Sequence, residues 1–315
     1  MPSPREPTLN TLPNPLLRYF VATRPAFLSV TLVGCLLGLA VARFSGIPID
    51  PVLASLTVLL ALLAHAGANV VNDYYDARSG CDAANMERIF PFTGGSRFIQ
   101  NGLLSERAAA IYGHGLLLAV IPAGLYLTAV SASGLIWIGL AGLLVGWAYS
   151  APPLKLQSRG FGEFGITASW LLIVVGADFV QRHHFATPPF EIGLSFALLV
   201  ANVLFINQFP DVRADALTGK RTVVVSLGTQ RARWGYALIA LLAYGWIIAM
   251  VVMSQLPWQA LLSLTAAAAS LGALRDLWRH AASPTNLVGA IKLTILAAVL
   301  HGLLLAAVLY GQWPR

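Results

Sequence analysis

Charged residues and cysteines are both scarce in this chain. Only 10% of its 315 residues are charged and 57% are hydrophobic, whereas about a quarter of the residues in soluble globular domains are charged. The composition therefore excludes an ordinary soluble domain and predicts an integral membrane protein. The two cysteines, Cys35 and Cys81, lie in an apolar and a polar segment respectively, which argues against a disulfide framework or a cysteine metal site.

Apolar stretches of about 20 residues, the length that spans a bilayer core, recur along the chain. They predict roughly nine transmembrane helices, near residues 25–45, 51–72, 107–130, 133–150, 163–181, 190–209, 233–254, 258–278 and 287–310. The predicted fold class is therefore an all-α polytopic membrane protein. Residues 1–24 are predicted to be a cytoplasmic N-terminal segment, and residues 25–311 a single membrane domain. Two glycine pairs with small-xxx-small spacing, Gly34/Gly38 and Gly142/Gly146, predict close helix contacts.

The polar connections at the two ends of these spans differ in charge. Placing the N-terminus and the connections 73–106, 151–162, 210–232 and 275–292 on one side, with Arg107 and Arg233 directly at the ends of two of these connections, leaves three of the 20 Lys and Arg residues elsewhere, namely Arg43, Arg182 and Arg315. The positive-inside rule makes that side cytoplasmic and predicts a multi-pass protein of the inner membrane. Topology and attraction to anionic lipid and diphosphate groups then account for the net charge of +7 without a nucleic-acid partner.

Two acidic clusters stand at the polar ends of two long apolar segments. Their oxygen-bearing side chains are Asn72, Asp73, Asp76, Asp82, Asp211 and Asp215. On a helix, side chains three or four positions apart share a face, as Asp73 does with Asp76 and Asp211 with Asp215. Clusters of oxygen ligands suit Mg²⁺, which leaves coordination positions for substrate phosphates. The clusters therefore predict a diphosphate held by Mg²⁺, with its active face on the cytoplasmic side.

Basic side chains in the same connections predict phosphate contacts. The candidates are Arg88, Arg97, Lys155 and Lys220. Gly94 and Gly95 permit backbone conformations that aim N–H groups at an anion, although a plain turn explains them equally well. For Lys155 the alternative interpretation is a positive-inside anchor.

Three segments, 72–82, 149–163 and 207–222, resemble the signature loops of the UbiA-type intramembrane prenyltransferases, and the resemblance covers nearly the whole chain. Within that superfamily, three features are similar to the 1,4-dihydroxy-2-naphthoate prenyltransferases of menaquinone synthesis. They are Asp82 six positions after Asp76, the stretch Arg88-Ile-Phe-Pro, and the ending Gly219-Lys-Arg-Thr.

The resemblance implies nine helices around a central cavity capped by cytoplasmic loops. It also implies Mg²⁺ as cofactor, a polyprenyl diphosphate donor, an aromatic acceptor and a lipid bilayer as partners. The implied metal ligands are Asp73, Asp76, Asp82, Asp211 and Asp215. The implied diphosphate-binding residues are Asn72, Arg88, Arg97, Tyr149, Lys155, Asn207 and Lys220. The implied catalytic residues are Asp73, Asp76, Asp211, Asp215 and Lys155.

Other functions remain open on the sequence alone. A related enzyme with a different acceptor, such as 4-hydroxybenzoate, homogentisate or a haem precursor, would share these motifs, and so would a terpene cyclase of the same superfamily. A transporter would be expected to place its acids nearer the bilayer midplane. A CDP-alcohol phosphotransferase would carry an Asp-Gly-x-x-Ala-Arg core, which this sequence lacks.

Overall fold

The computed structural model describes residues 6–312, and its regular elements over that range are helices, as predicted. The α-helices are α1 (Pro15–Ala22), α2 (Pro25–Phe44), α3 (Pro51–Ser79), α4 (Cys81–Ala84), α5 (Glu106–Val130), α6 (Leu135–Ala148), α7 (Gly162–Arg182), α8 (Pro188–Leu217), α9 (Val223–Leu227), α10 (Thr229–Val252), α11 (Ala267–His280) and α12 (Val288–Gly311). The 3-10 helices are Leu156–Arg159, Trp258–Ala266 and Pro284–Leu287.

Eight helical segments within residues 6–312 are long and apolar enough to cross a bilayer. They are α2, α3, α5, α7, α8, α10 and the continuous segments Trp258–His280 and Pro284–Gly311. The remaining predicted span, 133–150, contains α6, which has only 14 residues. A helix of that length reaches only about 21 Å, less than the bilayer core of about 30 Å. The prediction of about nine spans thus corresponds to eight long helices and one short one.

The helices α3 and α8 extend well beyond the spans predicted from hydropathy. The predicted spans end at residues 72 and 209, whereas α3 has 29 residues and α8 has 30. Helices of this length measure about 45 Å, which exceeds the thickness of the bilayer core. Four of the acids, Asp73, Asp76, Asp211 and Asp215, therefore lie on the last turns of continuous helices, and Asp82 lies on the short α4 that follows α3. At the end of α3, Gly80 adopts the left-handed conformation with a φ of 78°, which glycine does without steric cost.

The two glycine pairs serve different purposes. A Cβ atom on Gly38 would lie 2.2 Å from the backbone oxygen of Val174, so the close contact predicted there exists, between α2 and α7. The prediction is wrong for Gly142 of α6, whereas a Cβ on Gly146 would lie 3.8 Å from the Cβ of Ala68 on α3, an ordinary contact. Gly142 has no atom within 4 Å of its would-be Cβ, and both glycines line a cavity. Their small size leaves space for a ligand.

The buried core is organised around α8, the most buried of the long helices. Its side chains Phe196, Phe205 and Phe209 are fully buried, and α8 packs against α2, α7, α10 and α12. This packing fixes the end of α8 that carries Asp211 and Asp215 on a rigid scaffold, facing the end of α3.

Candidate active site

A cavity of about 510 Å³ has one polar end, bounded by α3, α4, α8 and the connection after α8. Asp76, Asp82, Asp211, Asp215 and Lys220 line that end. The remaining wall consists mainly of aliphatic side chains and glycines from α3, α5, α6 and α7. A cavity with a charged end and an apolar body suits an amphiphile that has a charged head and a long tail.

The two acidic clusters meet at Lys220. The Lys220 Nζ atom lies 2.8 Å from Oδ1 of Asp76 on α3 and 3.6 Å from Oδ1 of Asp215 on α8. Burial alone would lower the pKa of Lys220, but the neighbouring carboxylates of Asp76 and Asp215 outweigh that effect and raise the pKa well above its usual value. Lys220 is therefore a buried, permanently charged amine between the clusters.

The first cluster is held by the connection between α6 and α7. The Gln157 Nε2 atom donates to Oδ1 of Asp76 over 3.0 Å, and Nδ2 of Asn72 lies 3.1 Å from Oδ2 of the same carboxylate. Asn72 Nδ2 also lies 3.0 Å from the Ser150 hydroxyl. Tyr149 lines the cavity beside them, and burial raises the pKa of its hydroxyl, which therefore stays protonated.

The second cluster is held by polar groups of the connection after α3. The Asn85 side-chain amide donates to Asp211, and the Cys81 thiol lies 3.2 Å from Oδ1 of Asp215. The Oδ1 atom of Asn207 is buried without a hydrogen-bond partner among the described residues, and Asn207 lines the cavity. A buried unpartnered acceptor costs free energy unless a ligand or water satisfies it, so Asn207 points to a ligand site.

Asp73 occupies a different position from Asp76. It does not line the cavity, and it forms an ion pair with Arg24. The backbone N–H of Ser96 also lies 3.3 Å from its carboxylate, so the loop that contains Gly94 and Gly95 directs an amide towards this anion. Both glycines have positive φ angles.

Asp82 follows α3 and lies at the polar end of the cavity. A Cβ on Gly95 would lie 2.2 Å from Oδ2 of Asp82, so a larger residue at position 95 would displace this carboxylate. Burial and the nearby carboxylates of Asp76 and Asp73 raise the pKa of Asp82 well above its usual value.

Three of the four predicted phosphate-binding cations lie outside the cavity wall. Lys155 is exposed, Arg88 donates to Glu6, and Arg97 is buried and donates to the backbone oxygen of Asp82. None of the three lines the cavity, whereas Lys220 does. On the connector that follows α6, Gln157 rather than Lys155 reaches Asp76, because Lys155 precedes the 3-10 turn that carries Gln157 inward.

Sequence reasoning overlooked several residues that hold the site. They are Arg24, Cys81, Asn85, Gln157 and Gln208. Arg24 offers a usable sequence signal, since it is a charge directly before the first predicted span. Gln208 donates to Glu163 and accepts from the backbone N–H of Val224 over 3.3 Å, which joins two of the signature segments. Neutral amides carry no charge pattern, so their roles depend on tertiary contacts.

The donor set at the polar end fits Mg²⁺ bound together with a diphosphate. Within residues 6–312, no three side chains of His, Cys, Asp or Glu converge as ligands for one ion. Mg²⁺ does not require such a cage, because it commonly takes one or two carboxylates and completes its shell with water and phosphate oxygens. Asp76 from α3 and Asp211 and Asp215 from α8 offer such carboxylates around one cavity, and the unpartnered Asn207 oxygen is a further acceptor.

A family model described as the UbiA prenyltransferase family matches residues 31–294. This chain belongs to that family. It is accordingly a prenyltransferase, and the transporter and CDP-alcohol phosphotransferase alternatives are set aside. The resemblance that the three signature segments indicated is confirmed, as is the all-helical membrane fold.

Individual proteins show the same relationship. The 1,4-dihydroxy-2-naphthoate octaprenyltransferase of Bacillus subtilis is 28% identical over 243 residues, which cover 75% of this chain and 74% of the relative. The 2-carboxy-1,4-naphthoquinone phytyltransferase of Synechocystis is 24% identical and covers 92% of both chains. The solved structure of a UbiA homologue from Archaeoglobus fulgidus, bound to DMAPP and Mg²⁺, is 17% identical with a TM-score of 0.61, covering 92% of this chain and 99% of that one.

Proposed function

We propose that this protein transfers a polyprenyl group from a polyprenyl diphosphate to 1,4-dihydroxy-2-naphthoate, with Mg²⁺ as cofactor, in quinone biosynthesis. The observation that carries the proposal is the joining of both acidic clusters, through Lys220, at the polar end of one otherwise apolar cavity. The naphthoate prenyltransferases among the relatives support the acceptor, and the Archaeoglobus homologue bound to DMAPP and Mg²⁺ supports the donor and the metal.

The diphosphate is proposed to occupy the acidic end. Asp76, Asp211 and Asp215 would hold Mg²⁺, with Asp82 as a further acid at the same end and Asp73 behind the cavity wall. When bound, Mg²⁺ supplies positive charge that neutralises the diphosphate oxygens and stabilises the leaving group. Lys220 donates charge-assisted hydrogen bonds to the same oxygens, because its buried ammonium is already directed into the cavity.

Transfer requires the allylic carbon–oxygen bond to break, with its electron pair leaving on the diphosphate. The allylic cation that remains is attacked by an electron-rich ring carbon of the acceptor, and with the naphthoate acceptor that carbon then loses its carboxylate as carbon dioxide. Tyr149, which lines the cavity, would face the cation as a neutral aromatic ring, since its hydroxyl stays protonated. The apolar walls exclude water, which would otherwise capture the cation.

The acceptor is proposed to bind beside Arg24, where the cavity has unused hydrogen-bond donors. The Nε atom of Arg24 and the Nε1 atom of Trp170 are both buried without a hydrogen-bond partner among the described residues, and both residues line the cavity. His65 lies with its ring centroid 5.0 Å from that of Trp170. A guanidinium and two aromatic rings that line the same cavity suit an aromatic acid, because the guanidinium would pair with the carboxylate while the rings pack on the apolar body.

The prenyl tail is proposed to lie between α5, α6 and α7. Gly139, Gly142 and Gly146 of α6 line this part of the cavity and give it width. Leu125 of α5 and Leu140 of α6 also line the cavity but are 52% and 53% exposed at the protein surface. An opening between α5 and α6 towards the bilayer would let the end of a long tail remain in lipid.

The decisive test is an acceptor panel assayed with purified protein in lipid nanodiscs. A labelled polyprenyl diphosphate and Mg²⁺ are supplied with 1,4-dihydroxy-2-naphthoate, 4-hydroxybenzoate or homogentisate as the acceptor. We expect a prenylated naphthalene product with loss of carbon dioxide, and little product with the other acceptors. A prenylated 4-hydroxybenzoate as the main product would overturn the acceptor assignment, and a cyclised hydrocarbon formed without acceptor would indicate a terpene cyclase.

The two lysines predicted to contact phosphate should behave differently when replaced. Lys220→Met removes the buried ammonium between the clusters, so we expect kcat/KM for the prenyl diphosphate to fall by about a hundredfold or more, the scale of losing one preorganised charge. Lys155→Met changes an exposed side chain outside the cavity, so its kcat/KM should fall by less than about threefold. Steady-state kinetics of both variants provide the measurement. A larger loss of kcat/KM in Lys155→Met than in Lys220→Met would indicate that Lys155, rather than Lys220, contacts the phosphate.

The active face is proposed to be cytoplasmic, on the strength of the Lys and Arg distribution. Cysteines introduced at Ala84 and Thr218 should react with a membrane-impermeant maleimide from the cytoplasmic side, and one at Ser133 from the other side. The native thiols of Cys35 and Cys81 are buried, which keeps the background low. Labelling of Ala84→Cys and Thr218→Cys from the outer face of intact cells would reverse the assignment.

A further inference from the structure

The exposed faces of α10 and α11 meet in a groove whose residues do not line the cavity. On α11, the residues Leu271, Leu274, Arg275 and Trp278 line a recess of about 300 Å³. On α10, the exposed face carries Trp234 and Leu238. The Trp234 and Trp278 rings meet edge to face with centroids 4.6 Å apart, so the two helices join at this level. The groove is apolar along its length and aromatic at one end.

Four arginines gather at the aromatic end of this groove. Arg231 and Arg233 belong to the first turns of α10, and Arg275 and Arg279 to the last turns of α11. The helices run in opposite directions here, which the contact between Arg233 and Trp278 demonstrates, so all four cations lie at the same level. Arg231, Arg275 and Arg279 are exposed.

The two helices carry a single acid against these four arginines. α10 contains no Asp or Glu, and the one acid of α11, Asp276, lies against Gly289 of α12. Arg233 is fixed with its guanidinium 4.4 Å from the centroid of the Trp278 ring. Its Nε atom is buried and has no hydrogen-bond partner among the described residues. A buried donor with unused capacity indicates that a further acceptor belongs at this site.

We propose that this groove binds an anionic phospholipid. Its acyl chains would lie along Leu238, Leu271 and Leu274, and its headgroup phosphate would accept hydrogen bonds from Arg275 and Arg279. Arginine suits this role because its planar fork donates in pairs to phosphate oxygens. Trp234 and Trp278 would lie at the boundary between headgroup and chain, where tryptophan is enriched in membrane proteins. A zwitterionic lipid would fit the apolar groove but leave the cluster of positive charge unmatched.

The proposal is tested by native mass spectrometry of the full-length protein in detergent, without prenyl diphosphate, acceptor or metal. Phosphatidylglycerol and phosphatidylcholine with identical acyl chains are titrated in separate experiments. We expect the wild type to retain phosphatidylglycerol at lower lipid concentration. Arg275→Gln and Arg279→Gln should each weaken that binding by about fivefold, the effect of one arginine near a phosphate surface. The matched control is Arg107→Gln, which removes an exposed arginine at the start of α5 and should leave binding unchanged.

Several outcomes would contradict the proposal. Equal retention of both lipids would show that the groove has no headgroup selectivity. An equal loss in Arg107→Gln would show that net charge alone attracts the lipid. Displacement of phosphatidylglycerol by millimolar inorganic phosphate would identify a simple anion site. Circular dichroism of each variant verifies that it is folded, and because no substrate is present, a negative result leaves the proposed prenyl transfer untouched.

Discussion

Chelation of divalent cations should abolish prenyl transfer, and added Mg²⁺ should restore it. The polar end of the cavity brings together the carboxylates of Asp76, Asp82, Asp211 and Asp215, and a bare diphosphate placed there would meet strong repulsion. Lys220 supplies only one positive charge among these acids, so it cannot neutralise both the acids and a diphosphate. We therefore expect the rate without metal to fall by at least about a thousandfold, measured as product formed in excess EDTA.

The choice of restoring metal gives this prediction a second test. Mg²⁺ and Mn²⁺ prefer oxygen ligands and should both restore activity, whereas Zn²⁺, which favours nitrogen and sulfur ligands, should restore little. Binding of the labelled donor should fall together with activity, because the metal is expected to act at the diphosphate. Full activity in excess EDTA would contradict the assignment of the two clusters as metal ligands.

Asp211→Asn should reduce turnover by about a hundredfold or more while the protein remains stable. The substitution keeps the shape of the side chain but removes one ligand charge, and a loss of this size is typical for one preorganised electrostatic group. In the structure, the neutral amide of Asn85 contacts Asp211, so no buried cation loses its partner. The melting temperature without substrate should stay within a few degrees of the wild type, as measured by a thermal unfolding assay in detergent.

Asp73→Asn should also reduce turnover, but it should destabilise the protein as well. Asp73 is 5% exposed and forms an ion pair with Arg24, and removing one member of a buried pair leaves the other charge uncompensated. We expect a loss of up to about 3 kcal/mol in the free energy of unfolding. The contrast between the two variants separates the chemistry of the acids from their structural contacts. Wild-type turnover in both variants would show that neither acid takes part in the reaction.

Much of the fold and part of the site could be predicted from the sequence because the relevant signals are local. Runs of about 20 apolar residues located the membrane helices. In lipid the backbone N–H and C=O groups of such a run must form hydrogen bonds with each other, and a helix is the structure in which a single segment does this. The spacing of Asp73 with Asp76 and of Asp211 with Asp215 was interpretable because α3 and α8 remain helical through these residues. Hydropathy nevertheless ended both helices too early, because polar residues at a helix end lower hydropathy without ending the helix.

The sequence by itself determined the membrane fold class, the two acidic clusters and the family, because each depends on residue type and short-range spacing. Only the tertiary structure decided which residues meet. It joined the clusters through Lys220, turned Lys155 outward in favour of Gln157, and paired Asp73 with Arg24 across 49 positions of the chain. It also assigned Gly38 to a helix contact and Gly142 to a cavity wall, although both belong to pairs with the same spacing. Spacing fixes only the face of a helix on which a residue lies, and the packing of the other helices determines what that face contacts.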